Sequence, residues 1–364
     1  RHTMKIKKLL ILLITVAAVI FAGCGSSNSG ISKTGFFLDT VCSVTVYGID
    51  ETNQYFDYGD KKEQEKQILQ LITDAFKLCT EYENTLSKTI DSSDIARINN
   101  SGGDSVEVSN DTIEVLKKGI EYGELSDGAF DITIGRVTDL WDFRSGEDRD
   151  NADAGKIPDK SKLEAAVAHV NYKDIVIDGN TVTLKDPDME IDLGGIAKGY
   201  IADKLTAYLE ENGVTSAIVD LGGNIVAIGG KAAKLTGDKQ SDFSVGIKDP
   251  DSKTGELLGI LKCSNKTVVT SGTYERYFEA EGKRYHHILD TDTGYPVDTD
   301  IVSATIIADK GHSVDGDGLS TSCLALGREK AIKLIQSIDG VEAVIVDSSG
   351  DIYMSDDNIT FERS

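Results

Sequence analysis

SAIVDLGGNIVAIG, residues 216–229, sets two apolar, β-branched runs on either side of Gly222 and Gly223. A two-residue glycine link can reverse the chain but is far too short for a crossover helix, so the two runs read as neighbouring antiparallel strands. The pattern extends outward from there. VCSVTVYG (41–48) alternates as a strand, and IVIDGNTVTL (175–184) folds back at Asp178, Gly179 and Asn180. FSVGIKD (243–249), LLGILK (257–262) and IVSATIIA (301–308) add further strands, most of them joined by tight turns. Helical spacing covers 62–82, with Ile68, Leu71, Ile72, Ala75 and Phe76 on one face. A second helix, TIEVLKKGIEYGEL, starts behind Ser109 or Asp111 as its cap. The expected fold class is α+β, with mainly antiparallel sheets packed with helices, and not a doubly wound nucleotide fold.

The 364 residues carry 61 acidic and 38 basic side chains, a formal net charge of −23. That balance argues against nucleic acid and anionic lipid headgroups as partners, since both are held by basic patches. The N-terminus has its own logic. Lys5, Lys7 and Lys8 precede the apolar run LLILLITVAAVIFAG (9–23) and then Cys24. A basic start, a run too short for an ordinary membrane span, and small residues before a cysteine describe a secretory signal. The ending FAGC resembles a bacterial lipobox, so residues 1–24 are expected to be a signal peptide ending in a lipidated Cys24. The chain would then sit on the extracytoplasmic face of a bacterial cell membrane. GSSNSGISKTG (25–35) reads as a Gly/Ser tether and 36–364 as the folded body. Cys42, Cys79, Cys263 and Cys323 form no CxxC pair and sit among apolar neighbours, as small buried hydrophobes do.

Four stretches combine glycine with charged or hydroxyl residues. In HSVDGDGLSTSCLALG (312–327), Asp317, Ser320 and Thr321 stand three and four residues apart. One helical face would therefore carry three hard oxygen donors in its first turn, either as a solvated cap or as half of a metal site. Gly316 and Gly318 read as a tight turn into that site. In DLGGIAKGYIADKL (192–205) a helix starts just after Gly194 and Gly195, with Lys198 in its first turn. Its amides could hold a phosphate, or the Gly195 carbonyl could face a cation. The spacing is not the dinucleotide GxGxxG fingerprint. DGAFDITIGRVTDLWDF (127–143) holds the only tryptophan. In HHILDTDTGYP (286–296) the adjacent histidines point to opposite faces of a strand, so one of them faces a pocket.

Taken in order, DLGGIAKGYIADKL, VDLGGNIVAIG, TSGTYERYF, HHILDTDTGYP and DGDGLST resemble the ApbE family of FAD:protein FMN transferases. DITIGRVTDLWDF and SSDIARIN extend the resemblance toward the N-terminus. It implies a T-fold-like α+β architecture, magnesium, and FAD as a substrate. The implied reaction moves the FMN half of FAD onto a Ser or Thr hydroxyl of an acceptor protein and releases AMP. An FAD pyrophosphatase releasing FMN and AMP is the alternative, ahead of a non-catalytic flavin-binding lipoprotein. The family's acceptor pattern suggests a membrane redox subunit.

Residue by residue, the resemblance implies flavin contacts at Leu38, Thr89, Ala129, Phe130, Asp131, Asp192, Lys198 and Leu289. It implies magnesium at the Gly195 carbonyl, Asp317, Thr321 and Ser320. His287 immediately precedes Ile288 and Leu289, so it is expected to be the site-facing histidine, orienting substrate or moving a proton; with Asp317 it makes the catalytic pair. Members commonly carry Met near Leu38, Tyr near Thr89, Pro at Thr291 and Ala at Gly316.

Overall fold

The computed structural model describes residues 29–57, 59–141, 143, 156–237, 239–252, 254–356 and 359–364. The apolar run 9–23 and Cys24, with the signal and lipidation expectations that rest on them, lie outside these residues.

The main sheet has eight strands, and their spatial order follows their order along the chain. They are β1 (Ile31–Phe37), β2 (Thr40–Ile49), β6 (Val214–Leu221), β7 (Asn224–Ile228), β12 (Lys266–Gly272), β15 (Ile301–Asp309), β16 (Glu342–Asp347) and β17 (Ile352–Met354), in that spatial order. Every pairing is antiparallel. The Gly222–Gly223 link makes the β6–β7 reversal, with φ of +65° and +95°, a region L side chains rarely adopt. Val219 faces Val226 across it. A Cβ on Gly222 would lie 2.3 Å from Thr40 Oγ1, so this turn packs directly on the start of β2.

Helices cover one face of the sheet. α1 (Lys61–Leu86) starts at Asp60, whose carboxylate accepts from Lys62 N–H at 2.8 Å. It buries Ile68, Leu71, Ile72, Ala75, Phe76 and Cys79, a stripe at helical spacing, against β2, β6 and α6 (Ala197–Glu211). Each fully buried Ile or Leu of this kind contributes roughly 1.5–3 kcal/mol. α7 (Ser313–Leu326) and α8 (Arg328–Gln336) continue the layer over β12, β15 and β16. On the opposite face lies a small sheet of β10 (Phe243–Lys248), β11 (Leu257–Cys263) and β18 (Phe361–Arg363). Its Phe243, Val245, Ile247 and Leu261 pack on Ala227, Val268, Ile307 and Val344.

A second lobe is built around α2 (Asp94–Asn99), α3 (Asn110–Leu125) and the sheet of β3 (Val106–Glu107), β4 (Ile175–Asp178) and β5 (Thr181–Leu184). Ser93 caps α2 and Ser109 caps α3. The remaining pieces are α4 (Gly135–Thr138), α5 (Lys160–Val167), the two-stranded sheet β8 (Lys231–Ala232) with β9 (Gln240–Ser241), and the hairpin β13 (Tyr277–Ala280) with β14 (Lys283–His286). Trp141 packs against Phe278 and Tyr285 of that hairpin, and its indole N–H donates to the Gly294 carbonyl at 2.8 Å. Among the described residues no helix is long and apolar enough to cross a membrane.

The structure corrects three expectations. Residues 31–35, read as the end of a flexible tether, form most of β1: Ile31 pairs with Val46, and the Phe37 ring packs tilted against Phe76 of α1 at 5.0 Å between ring centroids. The folded body therefore starts before residue 36. Asp317 is also not in a first helical turn, because α7 begins at Ser313, where the Asp203 carboxylate accepts from Ser313 and Val314 N–H at 2.9 and 3.0 Å. Gly316 and Gly318 consequently lie inside the helix and make no turn. Their missing side chains admit neighbours, since a Cβ would stand 2.5 Å from Val269 Cγ2 and 2.4 Å from the Tyr122 ring. Cys42, Cys79, Cys263 and Cys323 are buried and free, as expected.

Candidate active site

The site forms where the start of α6 crosses the middle of α7. A Cβ on Gly199 would lie 2.2 Å from the Ser313 carbonyl oxygen, so only glycine lets the two helices approach this closely. At this crossing Asp317, 5% exposed, reaches α6: its Oδ2 accepts from Gly199 N–H at 2.6 Å. Its Oδ1 accepts from Asn224 Nδ2 at 3.1 Å, at the start of β7. α6 has no side-chain cap of its own, so Asp317 takes over one of its unpaired first-turn amides and places negative charge at the positive end of the helix. Burial raises the Asp317 carboxyl's pKa, while Lys198, the Gly199 amide and Asn224 oppose that shift.

Thr321 lies one helical turn further along. A Cβ on Gly195 would be 4.0 Å from Thr321 Oγ1 and 3.1 Å from the Phe130 ring, so Gly195, Thr321 and Phe130 meet at one point. Ser320 points elsewhere. It is fully buried, its hydroxyl 2.8 Å from Ser271 Oγ and donating to the Asp317 carbonyl at 3.1 Å. Of the four expected magnesium ligands, Gly195, Asp317 and Thr321 share one region, whereas the Ser320 hydroxyl is committed to the interior.

A divalent cation fits the donor set. Asp317 is a buried carboxylate, Asn224 Oδ1 is buried without a hydrogen-bond partner, and the Thr321 hydroxyl makes no hydrogen bond among the described residues. Hard oxygens in this combination suit magnesium. Lys198 makes no salt bridge among the described residues, yet its charge acts on Asp317, Asp220, Glu275 and His287 together. It is the cation around which the acidic groups gather.

The remaining expected contacts frame this centre. Asp192 accepts from Gly194 N–H and Thr138 Oγ1, both at 2.8 Å, and pairs with Lys88 Nζ at 3.2 Å. Burial alone would raise its carboxyl, but Lys88 holds it below the usual range. Asn99, on the SSDIARIN helix, braces this segment through two hydrogen bonds to Ile191. Thr89 is exposed beside Lys88. Leu38, at φ +54°, forms the β1–β2 turn with Asp39. The Asp131 carboxylate is consumed internally, Oδ1 by the Thr133 amide and hydroxyl and Oδ2 by Tyr172 N–H. The Ala129 and Phe130 amides are held by the Ser126 carbonyl and hydroxyl, so the backbone carbonyls of Ala129, Phe130 and Asp131, and the Phe130 ring, remain to meet a ligand. Leu289 is buried beside Trp141 and Val137. Thr291 donates to the Gly128 carbonyl at 2.8 Å, tying the two segments together.

The two histidines separate as their positions require. His287 Nδ1 lies 3.2 Å from the Arg276 carbonyl, and burial, with the Arg276 and Lys198 cations, pushes its pKa down to about 3. His286, on β14 with Arg284, Lys283 and Asp298 nearby, is brought down to about 4 by burial. His287 therefore shares the Lys198 neighbourhood as a neutral ring. Asp290 does not converge on it, because its carboxylate closes a local turn on Asp292 and Thr293 N–H. Sequence reasoning missed Asn224, Glu275, Asp203 and Lys88. Asn224 had a readable signal, a polar side chain opening a buried strand directly after two glycines.

With this geometry in place, residues 38–345 match the ApbE family. The chain belongs to the ApbE family. It is 32% identical over 348 residues to the FAD:protein FMN transferase of Treponema pallidum, covering 92% of this chain and 90% of that protein. A Klebsiella pneumoniae FAD:protein FMN transferase is 34% identical over 288 residues, covering 78% and 84% of the two chains. The crystal structure of the ApbE protein of Thermotoga maritima superposes with a TM-score of 0.75 at 30% identity, covering 92% of this chain and 99% of that one. The eight-stranded antiparallel sheet under helices is thus the ApbE architecture.

Proposed function

We propose that this ApbE-family chain is an FAD:protein FMN transferase that, with magnesium, moves the FMN moiety of FAD onto a Ser or Thr hydroxyl of an acceptor protein and releases AMP. The observation that carries the reading is the Asp317 clamp. One buried carboxylate joins α7 to the amide of Gly199 and to Asn224, beside Gly195 and Thr321.

Gly195, Asp317 and Thr321 would hold the cation, which when bound supplies neutralisation of charge on the FAD pyrophosphate. The chain's own groups supply the rest. Lys198, without a salt bridge among the described residues, favours the anionic pyrophosphate from the start of α6, and the glycines at 194 and 195 let it approach the backbone. Phe130 and Leu289 offer apolar surface to the flavin end. His287, neutral and oriented by the Arg276 carbonyl, positions substrate by hydrogen bonding. The leader ending at Cys24 supports a lipid-anchored enzyme on the extracytoplasmic face, where a membrane redox subunit is the acceptor.

The test is mass spectrometry of a candidate acceptor after incubation with FAD and magnesium. Covalent FMN on a hydroxyl with matching AMP supports the reading; free FMN and AMP with an unmodified acceptor assigns the site to a pyrophosphatase.

A further inference from the structure

Lysine side chains normally end in water, and that of Lys88 does not. It follows α1, its side chain is 16% exposed, and its three protons are shared among four oxygens. Nζ donates to the Gly135 carbonyl at 3.2 Å and to Thr138 Oγ1 at 2.9 Å, both on α4, and to the Asp139 carboxylate just behind them. It also pairs with Asp192 Oδ2 at 3.2 Å. An ion pair on an open surface contributes little, but this one is largely out of water and joins segments distant in sequence. The same ammonium touches Asp139 and Asp192, so removing it leaves two like charges close together.

Asp192 links this clamp to the candidate cation site. Thr138 Oγ1 donates to its Oδ2 and Gly194 N–H to its Oδ1, both at 2.8 Å. Each carboxylate oxygen therefore has a partner within the protein, and the effect of Asp192 on a ligand passes through the turn it closes. That turn continues into α6, because the Leu193 carbonyl accepts from Ile196 and Ala197 N–H at 3.0 and 2.8 Å. Between them stands Gly195, which meets Phe130 and Thr321. The residues before Asp192 are fixed as well: the Glu190 carbonyl accepts from Gly135 N–H at 2.9 Å, and Ile191 is held by Asn99.

We infer that Lys88 is a positioning residue for the cation site: it holds the Asp192 carboxylate against Gly194 N–H, and so fixes the Gly194–Gly195 turn. Groups that orient a metal's ligands from behind typically change metal affinity or activity by about 10–100-fold when replaced. Three roles for Lys88 differ in sign. If it positions the turn, its loss weakens cation binding. If only its charge mattered, its loss would strengthen cation binding, since a nearby positive group would be gone. If it only braced the fold, its loss would lower the melting temperature and leave cation affinity unchanged.

The inference rests on the magnesium-dependent reading of the site, and one experiment separates the two. Mn2+ is titrated into the full chain with FAD present and no acceptor, and the free ion is followed by electron paramagnetic resonance, so binding is read directly and not through a rate. If the parent has no Mn2+ site that Asp317→Asn weakens, the cation reading fails, and this inference with it. If it has one, Lys88→Met should weaken Mn2+ about tenfold, and Thr138→Val, which changes no charge, about threefold in the same direction. Arg328→Met is the control. It breaks an ion pair of similar length, 3.1 Å to Asp347 beyond the end of α7, and should lower the melting temperature while keeping Mn2+ affinity within about twofold of the parent. The magnesium concentration that gives half the maximal transfer rate should rise in Lys88→Met by a similar factor, with kcat at saturating magnesium within about threefold of the parent. Lys88→Met that binds Mn2+ as tightly as the parent or more tightly overturns the inference, as does an equal loss in Arg328→Met. Should Lys88→Met not fold, Thr138→Val decides alone, and unchanged affinity there overturns it.

Discussion

The Asp317 carboxylate of α7 accepts a 2.6 Å hydrogen bond from the backbone amide of Gly199 in the first turn of α6. One bond thereby couples two helices, a helix dipole and the candidate cation site. Asp317→Asn keeps the side chain's size but removes its formal charge. The account predicts a fall in kcat on the order of a hundredfold, roughly 2.7 kcal/mol, with flavin binding affected far less. Thr321→Ala, which removes a neutral oxygen, should cost less and recover partly in excess magnesium. AMP release against magnesium concentration for the parent and both variants checks this; near-normal turnover in Asp317→Asn would reduce the DGDGLST segment to structure alone.

Gly199 and Gly316 make a paired prediction about packing. A Cβ on Gly199 meets backbone, the Ser313 carbonyl at 2.2 Å, whereas on Gly316 it meets the Val269 side chain at 2.5 Å. Backbone cannot give way without moving a helix. Gly199→Ala should therefore destabilise by about 3 kcal/mol or more. Gly316→Ala should cost about 1 kcal/mol or less, because the helical gain of alanine over glycine offsets part of the strain. Urea unfolding of both variants decides it, and equal losses would contradict the account.

The antiparallel architecture was legible because β6, β7, β10, β11 and β15 carry their pattern locally, in alternation and in glycine turns. β1 was hidden by its composition: Ser32, Lys33, Thr34 and Gly35 read as linker, and only pairing with β2 makes them a strand. The start of α7 was hidden for a similar reason. Its cap, Asp203, lies on another helix, and a cap from a distant part of the chain leaves no local signature. Within the site, spacing and resemblance located Asp317, Thr321 and Gly195. They could not say that the Ser320 hydroxyl turns inward to Ser271 or that the Asp131 carboxylate closes its own loop. Those outcomes depend on which neighbour reaches each oxygen first.

Lys88 and Asp192 give a pH prediction. Asp192's folded carboxyl lies below its ordinary value, so the unfolded chain binds more protons in that range. The stabilisation is present above an unfolded value of about 3.9 and lost as pH falls through the folded one. Lys88→Met removes it and leaves a partly buried carboxylate unpaired, at a cost of roughly 1–3 kcal/mol at neutral pH. Denaturant unfolding at pH 7 and at pH 3 should show the gap between parent and variant closing in acid. A gap that stays constant would mean the ion pair is not its source.

His286 acts in the same direction by a different route. Its folded pKa of about 4 lies below the unfolded value of about 6.5, so it is buried neutral and must charge on unfolding in mild acid. The stability it allows above pH 6.5 is lost as pH drops toward 4, on the order of 2 kcal/mol. Asp203 and Glu275, with folded values of about 6 and about 7, act oppositely and lose stability as pH rises through those values. A comparison of variants is therefore more informative than the parent profile. His286→Phe should show a smaller loss of melting temperature than the parent between pH 7 and pH 4.5; an unchanged slope would contradict the assignment.

The central claim is the transfer of FMN to protein through the Asp317 site. The most direct measurement is intact-protein mass spectrometry of an acceptor incubated with this chain and FAD, with magnesium and with chelator, alongside AMP quantified in the same samples. The account predicts an acceptor heavier by one FMN moiety on a Ser or Thr, one AMP per flavin attached, neither product under chelation, and both formed about a hundredfold more slowly with Asp317→Asn. An unmodified acceptor accompanied by free FMN, or modification that persists when the metal is chelated, would contradict it.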